Sequence, residues 1–259
     1  MIKPRIIPCL LIREKGLVKK IKFKDYKYLG DPINAVKTFN EKLVDELMVI
    51  DIDATSKNKE LDLNLIKKFS EEARMPLCYA GGVKKVSDVK AIIELGVEKV
   101  GMSYGAISNP SLIKNASELV GRQSIVIVLD VKKKILGGYS VFTHNGTKDT
   151  GRKPEDLIEE MQEQGAGEII INSIDNDGMM EGYDHNLIKK IKDKIKIPLT
   201  IIGGAGNKDH IKKVIERFGL LGIGAGSLFV FKGKYNAVLI SYLSAEDKEE
   251  FNEIIRKKN

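Results

Sequence analysis

Tryptophan is absent from the 259 residues, cysteine occurs twice and histidine three times. Cys9 and Cys78 each lie inside an apolar run. That placement suits buried thiols in a reducing, cytoplasmic setting and excludes a disulfide framework. His144, His185 and His210 share no metal-ligand spacing, so neither a metal nor a cofactor is expected. No apolar stretch is long enough for a membrane span, and the opening MIKPRIIPCLLI is too short for a signal segment. The net charge is +7 and the pI 9.1. The lysines are scattered among acids such as Glu159, Glu160 and Glu163, and no basic stripe is interleaved with aromatics. Nucleic acid is therefore not the expected partner, whereas a phosphorylated small molecule or an acidic protein remains open.

What the chain does have is alternation. Short β-branched runs at 5–11, 46–52, 76–80, 99–103, 124–130, 168–173, 198–202 and 221–225 read as eight strands. Several are apolar almost throughout, as in IVIVL at 125–129, which marks a parallel sheet buried on both faces. Between them lie helix starts. Asp31-Pro32 and Asn109-Pro110 place a capping side chain before proline, Asp184 is set to cap 185–194, and Ser87 to cap 88–95. Eight strands alternating with helices fit a closed barrel or an open doubly wound sheet.

An internal repeat selects the barrel. Glu168 lies 122 residues beyond Glu46 (168 − 46), and the PLTIIGG string at 198 lies 122 beyond PLCYAGG at 76 (198 − 76). The strand at 124 follows that at 5 by 119 (124 − 5). Two matched four-strand halves, about 1–122 and 123–259, predict one α/β domain over 1–259, a (β/α)8 TIM barrel built from two similar (β/α)4 halves.

Function in such barrels sits at the strand C-terminal ends. Gly203-Gly204 and Gly226-Ser227, after strands 7 and 8, are the favoured phosphate site, because glycine lets the backbone approach an anion closely. Gly81, Gly82 and Ser103 form the matching first-half candidate, with Tyr104 crowding it. Acidic residues also end strands: Asp51, Asp130 and Asp177. Asp130 is either a proton-transfer group or a structural carboxylate held by loop amides. Its repeat partner should be residue 11 (130 − 119), and residue 11 is leucine. Arg5, Glu46, Lys99 and Glu168 begin strands 1, 2, 4 and 6, where two cations and two anions converge on the barrel floor. By pattern alone that ring is a stabilising plug. The segment at 132–151 reads as a hairpin around Gly137-Gly138. The lysine-rich stretch at 13–30, which includes Lys19, reads as a long loop able to close over a ligand.

GDPINAV at 30, DELMVIDIDA at 45, NPSLI at 109, VFTHNGTKDTG at 141, GAGEIIINSIDNDG at 165, GYD at 182 and GGAG at 203 together resemble the cyclase subunit of imidazole glycerol phosphate synthase. The likeness runs from 5 to 231, nearly the whole chain. It implies a glutaminase subunit at the barrel floor, whose ammonia passes a charged gate and travels through the barrel to a bisphosphorylated ribonucleotide at the mouth. Arg5, Glu46, Lys99 and Glu168 fall on the four gate positions. Of the family's two catalytic aspartates, Asp130 matches one and Leu11 replaces the other. Ala80-Gly81-Gly82 stands for a glycine triplet, Ser103-Tyr104 for Asn-Thr, and Ile202 for serine. An intact gate below an eroded mouth resembles the cyclase-like proteins of bacterial surface-polysaccharide clusters. Those are thought to supply ammonia to an N-acetyl sugar amidotransferase that makes acetamidino sugars. A working cyclase in which Asp51 or Lys19 replaces the missing acid, a sugar-phosphate isomerase, and a phosphosugar-binding protein are the alternatives.

Overall fold

The computed structural model describes residues 3–258. Its barrel strands are β1 (Arg5–Arg13), β2 (Leu47–Asp51), β3 (Leu77–Ala80), β4 (Lys99–Met102), β5 (Ile125–Lys133), β6 (Glu168–Ser173), β7 (Leu199–Ile202) and β8 (Gly222–Ala225). Each runs parallel to its neighbours, and β1 pairs with β8 from Arg5↔Gly222 to Pro8↔Ala225. That last pairing closes the sheet into an eight-stranded barrel, as the sequence predicts. Glu46 lies one residue ahead of β2 rather than at its first position.

The outer helices are α1 (Pro32–Glu41), α2 (Leu63–Glu72), α3 (Val86–Glu94), α4 (Ser111–Val120), α5 (Pro154–Glu163), α6 (His185–Ile191), α7 (Lys208–Phe218) and α8 (Ala245–Arg256). Asp31 and Asp184 accept from free backbone N–H groups at the starts of α1 and α6, as expected of caps. Two cap assignments need correction. Asp88, not Ser87, anchors the start of α3, accepting from the Lys84 and Lys85 amides at 2.9 and 3.1 Å. Pro110 already has helical angles ahead of α4, and Asn109 bonds the Ser111 hydroxyl instead of a helix amide.

Strand side chains alternate between the two faces of the sheet, so the lumen fills in layers. Ile7, Cys9, Met48, Cys78, Ala80, Val126, Val128, Ile170 and Ile202 form one apolar cluster inside the barrel. The opposite parity packs against the helices in a larger cluster that includes Leu10, Leu47, Ile127 and Ile169. The alternation carries Arg5, Glu46, Glu168 and Thr200 to the lower end of the lumen, and Leu11, Asp130 and Asn172 to the upper end.

The stretch after β1 is not a free loop. Gly16–Ile21 and Lys24–Gly30 form an antiparallel hairpin that continues from β1, with Leu11↔Val18 and Ile12↔Leu17 in register. Leu17 and Val18 are buried, which explains why strand pairing wins over an open loop. The hairpin after β5 forms as expected, with Asp130↔Phe142 through Lys133↔Tyr139 in register.

Candidate active site at the two ends of the barrel

At the floor, Arg5 Nη1 donates to Glu46 Oε2 at 2.6 Å and Arg5 Nη2 to Glu168 Oε1 at 2.7 Å. Lys99 Nζ donates to Glu46 Oε1 and to Glu168 Oε2, both at 2.9 Å. Two cations thus bridge two carboxylates in a closed ring across the lumen. Glu46 and Glu168 are buried, while Arg5 and Lys99 keep partial exposure, so the ring faces solvent on its cationic side. Burial alone would raise the Glu168 pKa, but hydrogen bonds and charge from Arg5 outweigh it and hold the carboxyl below its usual range. Burial likewise works against Lys99, and the two glutamates reverse it and raise its pKa.

At the mouth, one cavity is lined by Leu11, Lys19, Lys20, Asp51, Gly81, Gly82, Ser103, Tyr104, Asp130, Asn172, Asp177, Gly203 and Gly226, among others. The expected carboxylates and most of the expected glycines therefore converge. Gly204 and Ser227 do not line this cavity: a side chain at 204 would meet the Gly182 carbonyl, and Ser227 is buried. Gly203 has φ +92°, and a Cβ there would lie 2.7 Å from the Ser173 carbonyl oxygen. Only glycine fits that close, left-handed turn.

Asp130 is largely enclosed in the wall of this cavity. Burial pushes its carboxyl up to about 7, against the opposing effect of the Asn172 amide, which donates at 2.9 Å. Asp177 is also raised by burial, and its Oδ2 has no hydrogen-bond partner. Asp51 is raised by burial despite accepting from the Asp53 and Ala54 amides. The strand-1 position that would face Asp130 is aliphatic, and Leu11 is 9% exposed. Proton transfer here therefore has one enclosed carboxyl poised near neutrality and no partner from β1.

The hairpin after β1 is folded over the mouth. Lys20 Nζ donates to Asn145 Oδ1 at 2.7 Å, and the Lys22 amide donates to the Asp177 carbonyl at 2.8 Å. Burial lowers Lys20 to about 8. Lys19 is buried too, and its Nζ fills the place that a side chain on Gly226 would take. Among the described residues no carboxylate pairs with it. Tyr104 starts a short helix and stacks edge-on against His144, with centroids 4.4 Å apart.

Sequence reasoning missed Asn172, Asn145 and Thr200, and took Lys20 only as one of the lysines of 13–30 able to close over a ligand. Asn172 had a signal: it is the polar residue at lumen parity in EIIINS, directly in register with Asp130. Among the described residues no group of three metal-binding side chains occurs, and no helix is long and apolar enough to cross a membrane.

Comparison with known proteins places these features in a lineage. The family described as histidine biosynthesis protein matches residues 5–236. A Leptospira borgpetersenii protein, provisionally named imidazole glycerol phosphate synthase subunit HisF, is 53% identical over 250 residues, covering 96% of this chain and 98% of its own. A Pseudomonas aeruginosa protein, provisionally named as the synthase subunit hisF2, is 46% identical over 93% of this chain and 96% of its own. The imidazole glycerol phosphate synthase subunit HisF of Streptococcus sanguinis is 34% identical over 88% of this chain and 91% of its own. With its closed barrel, its floor ring and its acidic mouth, the chain belongs to the histidine biosynthesis protein family, among the HisF-like cyclase subunits of imidazole glycerol phosphate synthase.

Proposed function

We propose that this chain accepts ammonia from a glutaminase subunit at the barrel floor and conducts it to the mouth, with its own cyclase chemistry impaired. The observation that carries this reading is the pairing of a complete ring of Arg5, Glu46, Lys99 and Glu168 with leucine at position 11. A charged ring suits a gate for ammonia. Ammonium entering an apolar lumen bears a large desolvation cost, so only the neutral molecule passes the layer of Ile7, Cys9, Met48, Cys78 and Ala80.

At the mouth, Lys19 beside Gly226, with Gly203 and the first-half Gly81, Gly82 and Ser103, is the anchor for a phosphorylated small molecule. Asp130 remains as the one acid–base group, with Asp51 and Asp177 as flanking carboxylates. General acid–base catalysis is worth roughly 10²–10⁴-fold per group, so losing the strand-1 carboxylate cripples ring closure. The ammonia then serves another acceptor. The reading that fits is amidation of a surface-polysaccharide sugar by an N-acetyl sugar amidotransferase, with all partners in the cytoplasm. The second reading is a working histidine-pathway cyclase, which the near-neutral Asp130 favours.

Complementation separates the two. Expressed with its glutaminase subunit in a strain lacking the histidine cyclase, the chain is expected not to restore growth without histidine. Robust growth would establish the second reading. Co-purification of a glutaminase subunit, lost when the floor is mutated, is the complementary expectation.

A further inference from the structure

The floor ring has a fifth member. Thr200, on β7, is 1% exposed, and its Oγ1 donates to Glu168 Oε1 at 2.6 Å. The same oxygen accepts from Arg5 Nη2 at 3.3 Å. Glu168 is therefore held from three sides: by Arg5, by Lys99 and by the threonine hydroxyl. Among the described residues, Glu46 is held by Arg5 and Lys99 and by no hydroxyl.

The repeat makes this asymmetry plain. Thr200 opposes Ile170 in the pairing of β6 with β7, and Cys78 opposes Met48 in the pairing of β2 with β3. Both pairs differ by 122 (200 − 78, 170 − 48), so Cys78 stands beside Glu46 where Thr200 stands beside Glu168. Cys78 donates no hydrogen bond to Glu46. The neighbouring strand is adapted to the hydroxyl as well. A Cβ on Gly222 would lie 1.9 Å from Thr200 Oγ1 and 3.1 Å from Arg5 Nη2, whereas the residue in the matching register of the first half, paired with Cys78 as Gly222 is with Thr200, is Lys99. Glycine at 222 thus leaves the space in which Thr200 and Arg5 meet Glu168.

We infer that Thr200 is a positioning residue that makes Glu168 the fixed post of the ring, so that the ring opens on the side of Glu46 and Lys99. The inference rests on the gate reading of the floor. Thr200 touches no ammonia itself; it acts by denying Glu168 a second rotamer. The consequence is directional. When Lys99 lets go of one carboxylate, it parts from the immobile Glu168 and stays with Glu46, the less restrained partner.

Thiol labelling tests this without any partner or acceptor. Cys78 lies in the lumen, paired in register with Lys99, whereas Cys9 lines the mouth cavity. Methyl methanethiosulfonate is applied to the intact protein, and modification of each cysteine is followed by peptide mass spectrometry. In Thr200→Val, which keeps the shape and removes the hydroxyl, Cys78 is expected to react about tenfold faster. That corresponds to ~1.4 kcal/mol, close to the lower end of the roughly 1.5–3 kcal/mol of a hydrogen bond to a charged group. Cys9 is expected to keep its rate, and Thr200→Ser to restore the wild-type rate at Cys78. If Cys78 quickens in Lys99→Ala but not in Thr200→Val, the positioning role is refuted while the gate stands. If Thr200→Val speeds both cysteines equally, the hydroxyl is merely structural and the inference also fails. If even Lys99→Ala leaves Cys78 unchanged, the floor is no gate, and both readings fall.

Discussion

Asp130→Asn isolates the strongest electrostatic peculiarity of the mouth. The Asp130 carboxyl, at the wall of the mouth cavity, is raised by burial to about 7 from an ordinary value of 3.8. The folded state thus holds this proton more tightly than the unfolded chain does. The stability it contributes is complete below about pH 4 and declines as pH rises from there to about 7, above which it levels off. One pH unit in that interval corresponds to about 1.4 kcal/mol, so between pH 5 and pH 8 the penalty reaches roughly 3 kcal/mol. Asparagine keeps the shape and can still accept the Asn172 bond through its amide oxygen, but it does not titrate. Thermal unfolding of both proteins at pH 5 and pH 8 gives the answer. The wild type should lose roughly 6–12 °C more than Asp130→Asn across that range, taking about 2–4 °C per kcal/mol for a chain of this size. Asp51, Asp177 and Lys20 titrate in both proteins, so the difference between the two profiles reports Asp130 together with its coupling to Asp177 and Lys20. Parallel pH profiles would refute the claim that Asp130 is protonated near neutrality, and with it the claim that it is an available acid.

Lys99→Ala leaves Glu46 and Glu168 bridged by Arg5 alone. It should cost about 2 kcal/mol, less than for a fully enclosed pair because Lys99 keeps 20% of its side-chain surface; differential scanning calorimetry checks this. Leu11→Asp puts a carboxylate back opposite Asp130 and should raise ammonia-dependent turnover of the bisphosphorylated cyclase precursor up to roughly 10²-fold over background; a product assay with ammonium in place of glutamine reads it, and no gain would mean that the phosphate contacts limit the reaction too. Lys20→Met removes the bond to Asn145 that pins the hairpin over the mouth. The amide of Lys22, bonded to the Asp177 carbonyl, should then exchange with deuterium at least tenfold faster, while amides of β5 and β6 should not change.

The barrel was legible because its evidence is redundant. Eight apolar runs, their helical spacers and the offset of 122 all point to one closure. The floor ring was legible from charged residues standing at strand starts, where an ionised side chain needs a partner. Thr200 was not, because a threonine in PLTII reads as an ordinary β-branched strand residue, and only three-dimensional proximity reveals its bond to Glu168. The hairpin at 16–30 was misread as a loop because its outer strand, Lys24–Gly30, is solvent-facing and charged. Half a hairpin without apolar alternation gives no period to detect. The lysines of this stretch, Lys19 and Lys20 among them, were legible as residues able to close over a ligand, but their burial was not, since burial of a lysine depends on what folds over it.

The last helix has a consequence for how this chain can be rewired. Tyr242, just before α8, donates to the carbonyl of Ile6 and to Asp45, and Lys248 within α8 reaches the Leu43 carbonyl and Asp45. Lys3 and Pro4 share a surface recess with Phe251 and Asn252. Among the described residues, the start of β1 and the last helix are therefore neighbours. A short peptide bridge could join them, with new termini cut at Ile135 and Leu136, the bare tip of the hairpin beyond β5, where the side chains stand wholly in solvent. Such a circular permutant should close the same barrel, leaving the floor ring free of loose chain ends for any subunit that seats there.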